Sequence, residues 1–296
     1  MKSLFILLFI SINAFAGDQG IKRLIQTQGV KEECTVEEHL VRDVDGNESK
    51  YFICPDLSIT YKQTQDDNCG PTSAVNILKM YCNADSTPDS FRKYFIKTIG
   101  AMGYKWTFPR GTLPADLEYG MNKAWKGFCS NDLTDSLEWK ISQSSNIKEY
   151  LIKLSKAVNR TESSPFERLV DGKTKSKWPV LALVLNGTSI ANLHYVTVVD
   201  IETDENLEEL LSQEDEAYKL LENKSCKVVL NTWDDQYKMN CYDFALAASL
   251  TNIDFASRQT LRPARYILIE LKEIGEDPSI AEQVLRAALG PVGALL

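Results

Sequence analysis

The sequence predicts an α+β fold, with a helical N-terminal half packed on an antiparallel sheet that forms the C-terminal half. In the first half, apolar residues recur at helical spacing, as in the stretch 72–82. The last third instead holds short runs rich in valine, isoleucine, leucine and aromatic residues, bounded by turn residues, which are typical of strands. These runs are 178–185, 194–201, 226–233 and 265–272.

The residues between the first helix and the first strand, 87–160, are interpreted as further helices. One helix is predicted to begin near Thr112, with Pro114 in its first turn and Asp116 close to the positive end of the helix dipole. Another is expected over 147–158, where apolar residues again follow the helical period.

The first residues predict export from the cytoplasm. Lys2 precedes the apolar run 4–12, and Ala14-Phe15-Ala16 has the small-x-small pattern of a cleavage site. We therefore expect a signal peptide over 1–16 and a mature protein that is periplasmic or extracellular. The apolar run is well short of the ~20 residues that a membrane span needs. No integral membrane segment is expected after cleavage.

The rest of the chain divides into three predicted regions. Residues 17–61 are expected to form an exposed lead-in and a hairpin, since the pair Asp45-Gly46 is a strong two-residue turn signal. Residues 62–275 form the main predicted domain, and 276–296 form a tail that ends in a short apolar-faced helix. The formal net charge of −8 gives no support for binding to nucleic acid or to an anionic membrane.

The chain has seven cysteines, an odd number that leaves one thiol over in an oxidising compartment. Six cysteines allow many pairings, so the sequence alone does not determine the disulfides. The local layout suggests Cys34 with Cys54 and Cys226 with Cys241, because each pair flanks a turn region. Cys82 would then pair with Cys129. Cys69 would remain a thiol.

Cys69 is the candidate nucleophile. It lies in the segment Cys69-Gly70-Pro71, at the point where a polar loop meets the predicted helix 72–82. Peptide dipoles and N–H groups at a helix start favour negative charge, which populates the thiolate, the reactive form of cysteine. An attacked carbonyl needs aligned donors for its oxyanion. The Cys69 backbone N–H and the Gln63 side-chain amide are the candidate donors.

The candidate base is His194, because a thiolate hydrolase usually needs a histidine and the chain has only two. His194 opens the predicted strand 194–201, whereas His39 lies in the first hairpin and is expected to be a surface residue. The base needs a partner that orients its second ring nitrogen. Asn231 is the favoured candidate, with Asp234 as the alternative. Trp233, between them, would shield the contact from water.

These residues resemble the papain-like cysteine peptidases, and most closely the stand-alone relatives of the bacteriocin-leader-processing peptidases. The resemblance rests on Gln63 six residues before Cys69-Gly70-Pro71, on the strand that begins His194-Tyr195-Val196, and on Asn231-x-Trp233. It covers roughly 55–240. It implies a papain-like fold and cleavage of a peptide or amide bond, with Gln63 as oxyanion donor, Cys69 as nucleophile, His194 as base and Asn231 as orienting residue.

Three functions are compatible with these residues. The first is a secreted cysteine peptidase or amidohydrolase that acts on a peptide or protein substrate and needs no cofactor. The second is an acyltransferase or transpeptidase, which forms the same thioester but passes it to an amine. The third is a non-catalytic binding module on the same scaffold. With two histidines and no paired Cys-x-x-Cys motif, the sequence does not predict a catalytic zinc site.

Overall fold

The computed structural model describes most of the region between Ile25 and Gly275. The described residues are 25–26, 28–35, 39–63, 68–94, 112, 114–185, 193–203, 207, 226–249 and 266–275. The predicted signal peptide 1–16 and the predicted tail 276–296 lie outside them. Within the described residues, no helix is both long enough and apolar enough to cross a membrane.

A central antiparallel sheet of seven strands organises the molecule, in the order β1-β11-β10-β9-β8-β12-β5. This confirms the predicted α+β class and the position of the four predicted strands. The strands are β1 (Val30–Glu32), β5 (Leu137–Ser144), β8 (Val180–Leu185), β9 (Leu193–Thr203), β10 (Cys226–Thr232), β11 (Asp235–Asn240) and β12 (Tyr266–Glu273).

The helical interpretation of 87–160 is wrong for β5. In this strand Leu137, Trp139 and Ile141 recur at every second residue, which is the period of a strand rather than of a helix. The strand pairs along its whole length with β12, from Leu137 opposite Glu273 to Ser144 opposite Tyr266. Pairing with a distant part of the chain therefore decides its conformation.

Helices cover both faces of the central sheet. The main ones are α1 (Cys69–Cys82), α3 (Pro114–Phe128), α5 (Ile147–Val158) and α6 (Cys241–Ala248), with short α2 (Pro88–Phe91) and α4 (Asn131–Ser136) beside them. Val180, Ala182 and Val184 of β8 pack in one core with α5 and α6. Leu181 and Leu183, on the other face of the strand, pack with α1 and α3. Burial on both faces explains why β8 is a continuous apolar run.

A second, three-stranded sheet, β2-β3-β4, precedes α1. The predicted hairpin is present: β2 (His39–Arg42) pairs antiparallel with β3 (Glu48–Ile53), and Gly46 in the turn has a φ of 82°. The third strand, β4 (Ile59–Tyr61), leads directly to Gln63. A separate hairpin of β6 (Glu167–Val170) and β7 (Lys173–Ser176) follows α5. The small sheet therefore ends next to the predicted site.

Three disulfides join the pairs suggested by the cysteine layout: Cys34–Cys54, Cys82–Cys129 and Cys226–Cys241. Cys69 is the one cysteine outside them. Disulfides persist in oxidising compartments, so this arrangement fits a periplasmic or extracellular protein.

Candidate active site

Cys69 is the first residue of α1, and only 3% of its surface is exposed. The N-cap residue Asn68 makes no side-chain cap of this helix, and its amide instead donates to Asp89 Oδ1 at 3.3 Å. The first turn of α1 also contains no acidic residue. The positive end of the helix dipole is therefore not offset by a carboxylate of its own turn, which favours a thiolate at this position.

The helix α1 lies along β9 and runs in the same direction. A Cβ atom added at Gly70 would lie 3.4 Å from Tyr195 Cδ2, and Ser73 Oγ donates to the Tyr195 carbonyl at 3.0 Å. Two turns into the helix, Asn76 Nδ2 donates to Thr197 Oγ1 at 3.2 Å. Later helix residues thus contact later strand residues. It follows that Cys69 and His194, close to the starts of these elements, lie at the same end.

His194 is also buried, with 2% of its surface exposed, and two neighbours hold its ring. Its Nε2 lies 2.7 Å from Thr232 Oγ1, at the end of β10. The indole of Trp233 stacks on the imidazole, with ring centroids 4.2 Å apart and planes 14° from parallel. The ring orientation is therefore fixed by a hydroxyl at its edge and an aromatic plane on its face.

The structure does not bring Asn231 to the imidazole. Its side-chain N–H groups donate to Ser58 Oγ at 2.8 Å and to the Ile59 carbonyl at 3.1 Å. Its Oδ1 accepts from Gln236 Nε2 at 3.0 Å. Asn231 is paired with Thr197, three residues beyond His194 along β9. These hydrogen bonds join the Asn231 side chain to β4, to the residue before β4 and to β11. The adjacent Thr232, which sequence analysis missed, makes the contact with His194.

Gln63 and Asp234 are brought together. The Gln63 backbone N–H donates to Asp234 Oδ1 at 2.9 Å. Asp234 follows Trp233 in the turn between β10 and β11, where both residues have positive φ, 74° and 47°. Non-glycine residues rarely adopt this conformation, so the surrounding contacts must hold the turn. The turn that carries the indole beside His194 therefore also anchors the residue proposed to donate to the oxyanion.

Tyr195 provides a further sign that Cys69 lies close to the start of β9. Burial raises the pKa of the Tyr195 phenol, and the negative charges of Cys69 and Asp116 raise it further. Its hydroxyl makes no hydrogen bond within the described part of the chain. The phenol therefore stays neutral beneath the first turn of α1 and adds no charge to the site.

The remaining histidine lies in the small sheet. His39 is partly exposed in β2 and stacks on Tyr51, with ring centroids 5.0 Å apart. Among the residues that the structure describes, no three histidine, cysteine or acidic side chains are grouped so that they could hold a metal ion.

Comparison of the chain with family models, with curated proteins and with solved structures finds no match.

Proposed function

We propose that the protein is an exported cysteine hydrolase that cleaves a peptide or amide bond, with Cys69 as nucleophile and His194 as base. The observation that carries this proposal is the parallel course of α1 and β9, which starts both residues at the same end of the molecule. The support for a reactive sulfur is that Cys69 is outside the three disulfides and begins a helix. The papain-like resemblance of the motif agrees with this assignment.

In the proposed reaction, the Cys69 proton moves to His194, and the thiolate attacks the carbonyl carbon of the substrate. The carbonyl opens to an oxyanion. As the oxyanion collapses, the C–N bond breaks and His194 returns the proton to the leaving amine. The acyl group is then a thioester on Cys69. Water, giving its proton to His194, attacks the thioester and releases a carboxylic acid, and the imidazole reprotonates the sulfur.

Each remaining group has one proposed role. Since His194 Nε2 contacts Thr232, Nδ1 is the nitrogen that we assign to proton exchange with the sulfur. Thr232 and Trp233 orient the ring. The Cys69 backbone N–H and the Gln63 side-chain amide stabilise the oxyanion, with Gln63 held in place through Asp234. Asn231 acts indirectly. Its hydrogen bonds hold β4 and the residue before it beside β10, and they do not reach the imidazole.

Alkylation of Cys69 tests this proposal without knowledge of the substrate. At about pH 6, iodoacetamide is expected to label Cys69 in the disulfide-intact protein at least tenfold faster than a cysteine in an unstructured peptide, since an ordinary thiol is almost wholly protonated there. The site of labelling is read by peptide mass spectrometry. His194→Gln is expected to remove most of this acceleration, because it removes the proton acceptor.

The matched control is His39→Gln, which alters the other histidine and is expected to leave the labelling rate unchanged. If Cys69 reacts no faster than the peptide cysteine, the hydrolase proposal is wrong and the binding module becomes the better account. If both histidine variants behave alike, His194 is not the base.

A further inference from the structure

A chain of buried hydrogen bonds joins the three elements that carry the proposed catalytic groups. Its centre is Asn76 on α1, which is only 1% exposed. Asn76 Oδ1 accepts from the backbone N–H of Tyr61 in β4 at 2.7 Å, and its Nδ2 donates to Thr197 Oγ1 in β9 at 3.2 Å. One side chain therefore connects the helix to strands on two sides.

Thr197 and Ser73 extend the chain toward the site. Thr197, which is fully buried, donates from Oγ1 to the Ser73 carbonyl at 3.2 Å. Ser73 Oγ donates in turn to the carbonyl of Tyr195, the residue after His194, at 3.0 Å. The elements joined in this way are those that lead to Gln63, Cys69 and His194.

The buried hydrogen bonds differ from the surrounding apolar packing because their strength depends on direction. Apolar packing in the core that α1 and β9 share opposes separation of the helix from the strand but resists sliding only weakly. Hydrogen bonds between buried groups lose strength steeply with distance and angle, and an unmade buried bond is costly. This series of hydrogen bonds therefore fixes the position of α1 along β9.

We propose that Asn76 and Thr197 are positioning residues, which set the register of α1 on β9 and so hold the Cys69 sulfur against the His194 imidazole. This inference rests on the proposed function. Proton transfer and nucleophilic attack depend on sub-ångström placement, and a shift of about 1 Å caused far from the reacting atoms can lower a rate by up to 100-fold. Neither residue touches the reacting groups.

The test is the pH profile of Cys69 alkylation in Thr197→Val, which keeps the branched shape but removes the hydroxyl. We expect the labelling rate at about pH 6 to fall roughly tenfold and the profile to move toward that of an ordinary thiol. Thr197→Ser restores the hydroxyl and is expected to recover most of the rate. A loss that reflected packing alone would not be rescued by the smaller serine.

The matched control is Asn122→Leu. Asn122 also joins a helix to a strand with both ends of its amide, accepting from the Trp139 N–H at 2.7 Å and donating to the Trp139 carbonyl at 2.8 Å. That link lies between α3 and β5. The variant is expected to melt at a lower temperature while its alkylation profile stays that of the wild type.

The results of these experiments distinguish the proposed function from the positioning role of Asn76 and Thr197. If wild-type Cys69 shows no acceleration, the proposed function itself is wrong. If wild type is accelerated and folded Thr197→Val matches it, the positioning role is wrong. Should Thr197→Val fail to fold, Ser73→Ala decides: it removes only the bond to the Tyr195 carbonyl. A slower, shifted profile in Ser73→Ala supports the role of the chain, and an unchanged profile overturns it.

Discussion

Replacing Cys69 with alanine is expected to lower peptide hydrolysis by about 10⁴-fold or more, because every covalent step of the proposed reaction passes through its sulfur. The substrate is best sought without bias, by incubating wild-type protein with a complex mixture of peptides and identifying new termini by mass spectrometry. Cleavages made by wild type and absent with Cys69→Ala then define both activity and specificity. Unchanged circular dichroism confirms that the variant is folded.

The same mixture distinguishes hydrolase from transferase. With a primary amine added, a hydrolase gives free carboxyl termini, whereas a transferase gives amide termini, which are heavier than the free acid by the mass of the amine less one water. Cleavage by Cys69→Ala at the wild-type rate would contradict the mechanism. A peptide mixture that wild type leaves intact, together with slow alkylation of Cys69, would favour the binding module.

Arg168→Met is expected to destabilise the fold by about 3–5 kcal/mol, since it removes the cation paired with the buried Asp56 and one of the two cations paired with the buried Asp200. Arg168 is 2% exposed and contacts Asp56 at 2.5 Å, Asp200 at 2.5 Å and Glu202 at 3.0 Å. It thereby ties the β6–β7 hairpin to β9 and to the turn before β4. Urea unfolding of both proteins measures the loss.

The control for this substitution is Arg42→Met. Arg42 pairs with Glu48 on the surface of the small hairpin, where water screens the interaction, so we expect little change in the urea midpoint. If both arginine variants unfold at the wild-type midpoint, the buried cluster is not important for stability. A large effect in Arg168→Met alone supports the account.

The ion pairs of Arg168 also predict that the protein loses stability as the pH falls into the acid range. Burial disfavours the charge on Glu202, but hydrogen bonds and charges from Arg168 and Lys238 outweigh it and hold the pKa of Glu202 below its usual value of 4.5. The unfolded chain then binds the proton more readily than the folded one. This stabilisation is present above about pH 4.5 and is lost as the pH falls further. Between about pH 6 and pH 3, the urea midpoint of Arg168→Met is expected to fall by less than that of the wild type.

The fold class was predictable because hydrophobic periodicity reports burial directly. Runs such as 180–185 are apolar at every position, since both faces of the strand are covered by helices. β5 was missed because its alternating pattern is short and its partner, β12, lies more than a hundred residues away. Neither β1 nor β11 stood out either: β1, in the predicted lead-in, is a three-residue strand that pairs with the distant β11, and β11 pairs along its length with β10.

The candidate site was predictable only in part. Cys69 and His194 were identifiable as candidates from residue type and from the start of a helix or strand, and the structure places both near the starts of α1 and β9. Whether Asn231 or its neighbour reaches the imidazole depends on which face of β10 each side chain occupies. A strand sends successive side chains to opposite faces, so a motif read by spacing alone can be one residue off. Here Thr232 contacts His194, and Asn231 bonds to Ser58 and Gln236 instead.

The central claim is that the sulfur of Cys69 and the imidazole of His194 interact, and NMR titration of the histidines measures this most directly. The chain has only two histidines, so His39→Gln assigns the spectrum at once. In the proposed pair, the Cys69 thiolate stabilises the charged ring, and replacing Cys69 with alanine removes it. We predict that the titration midpoint of His194 then falls by about one pH unit or more, as coupled groups require. Identical His194 titration curves in wild type and Cys69→Ala would contradict the account.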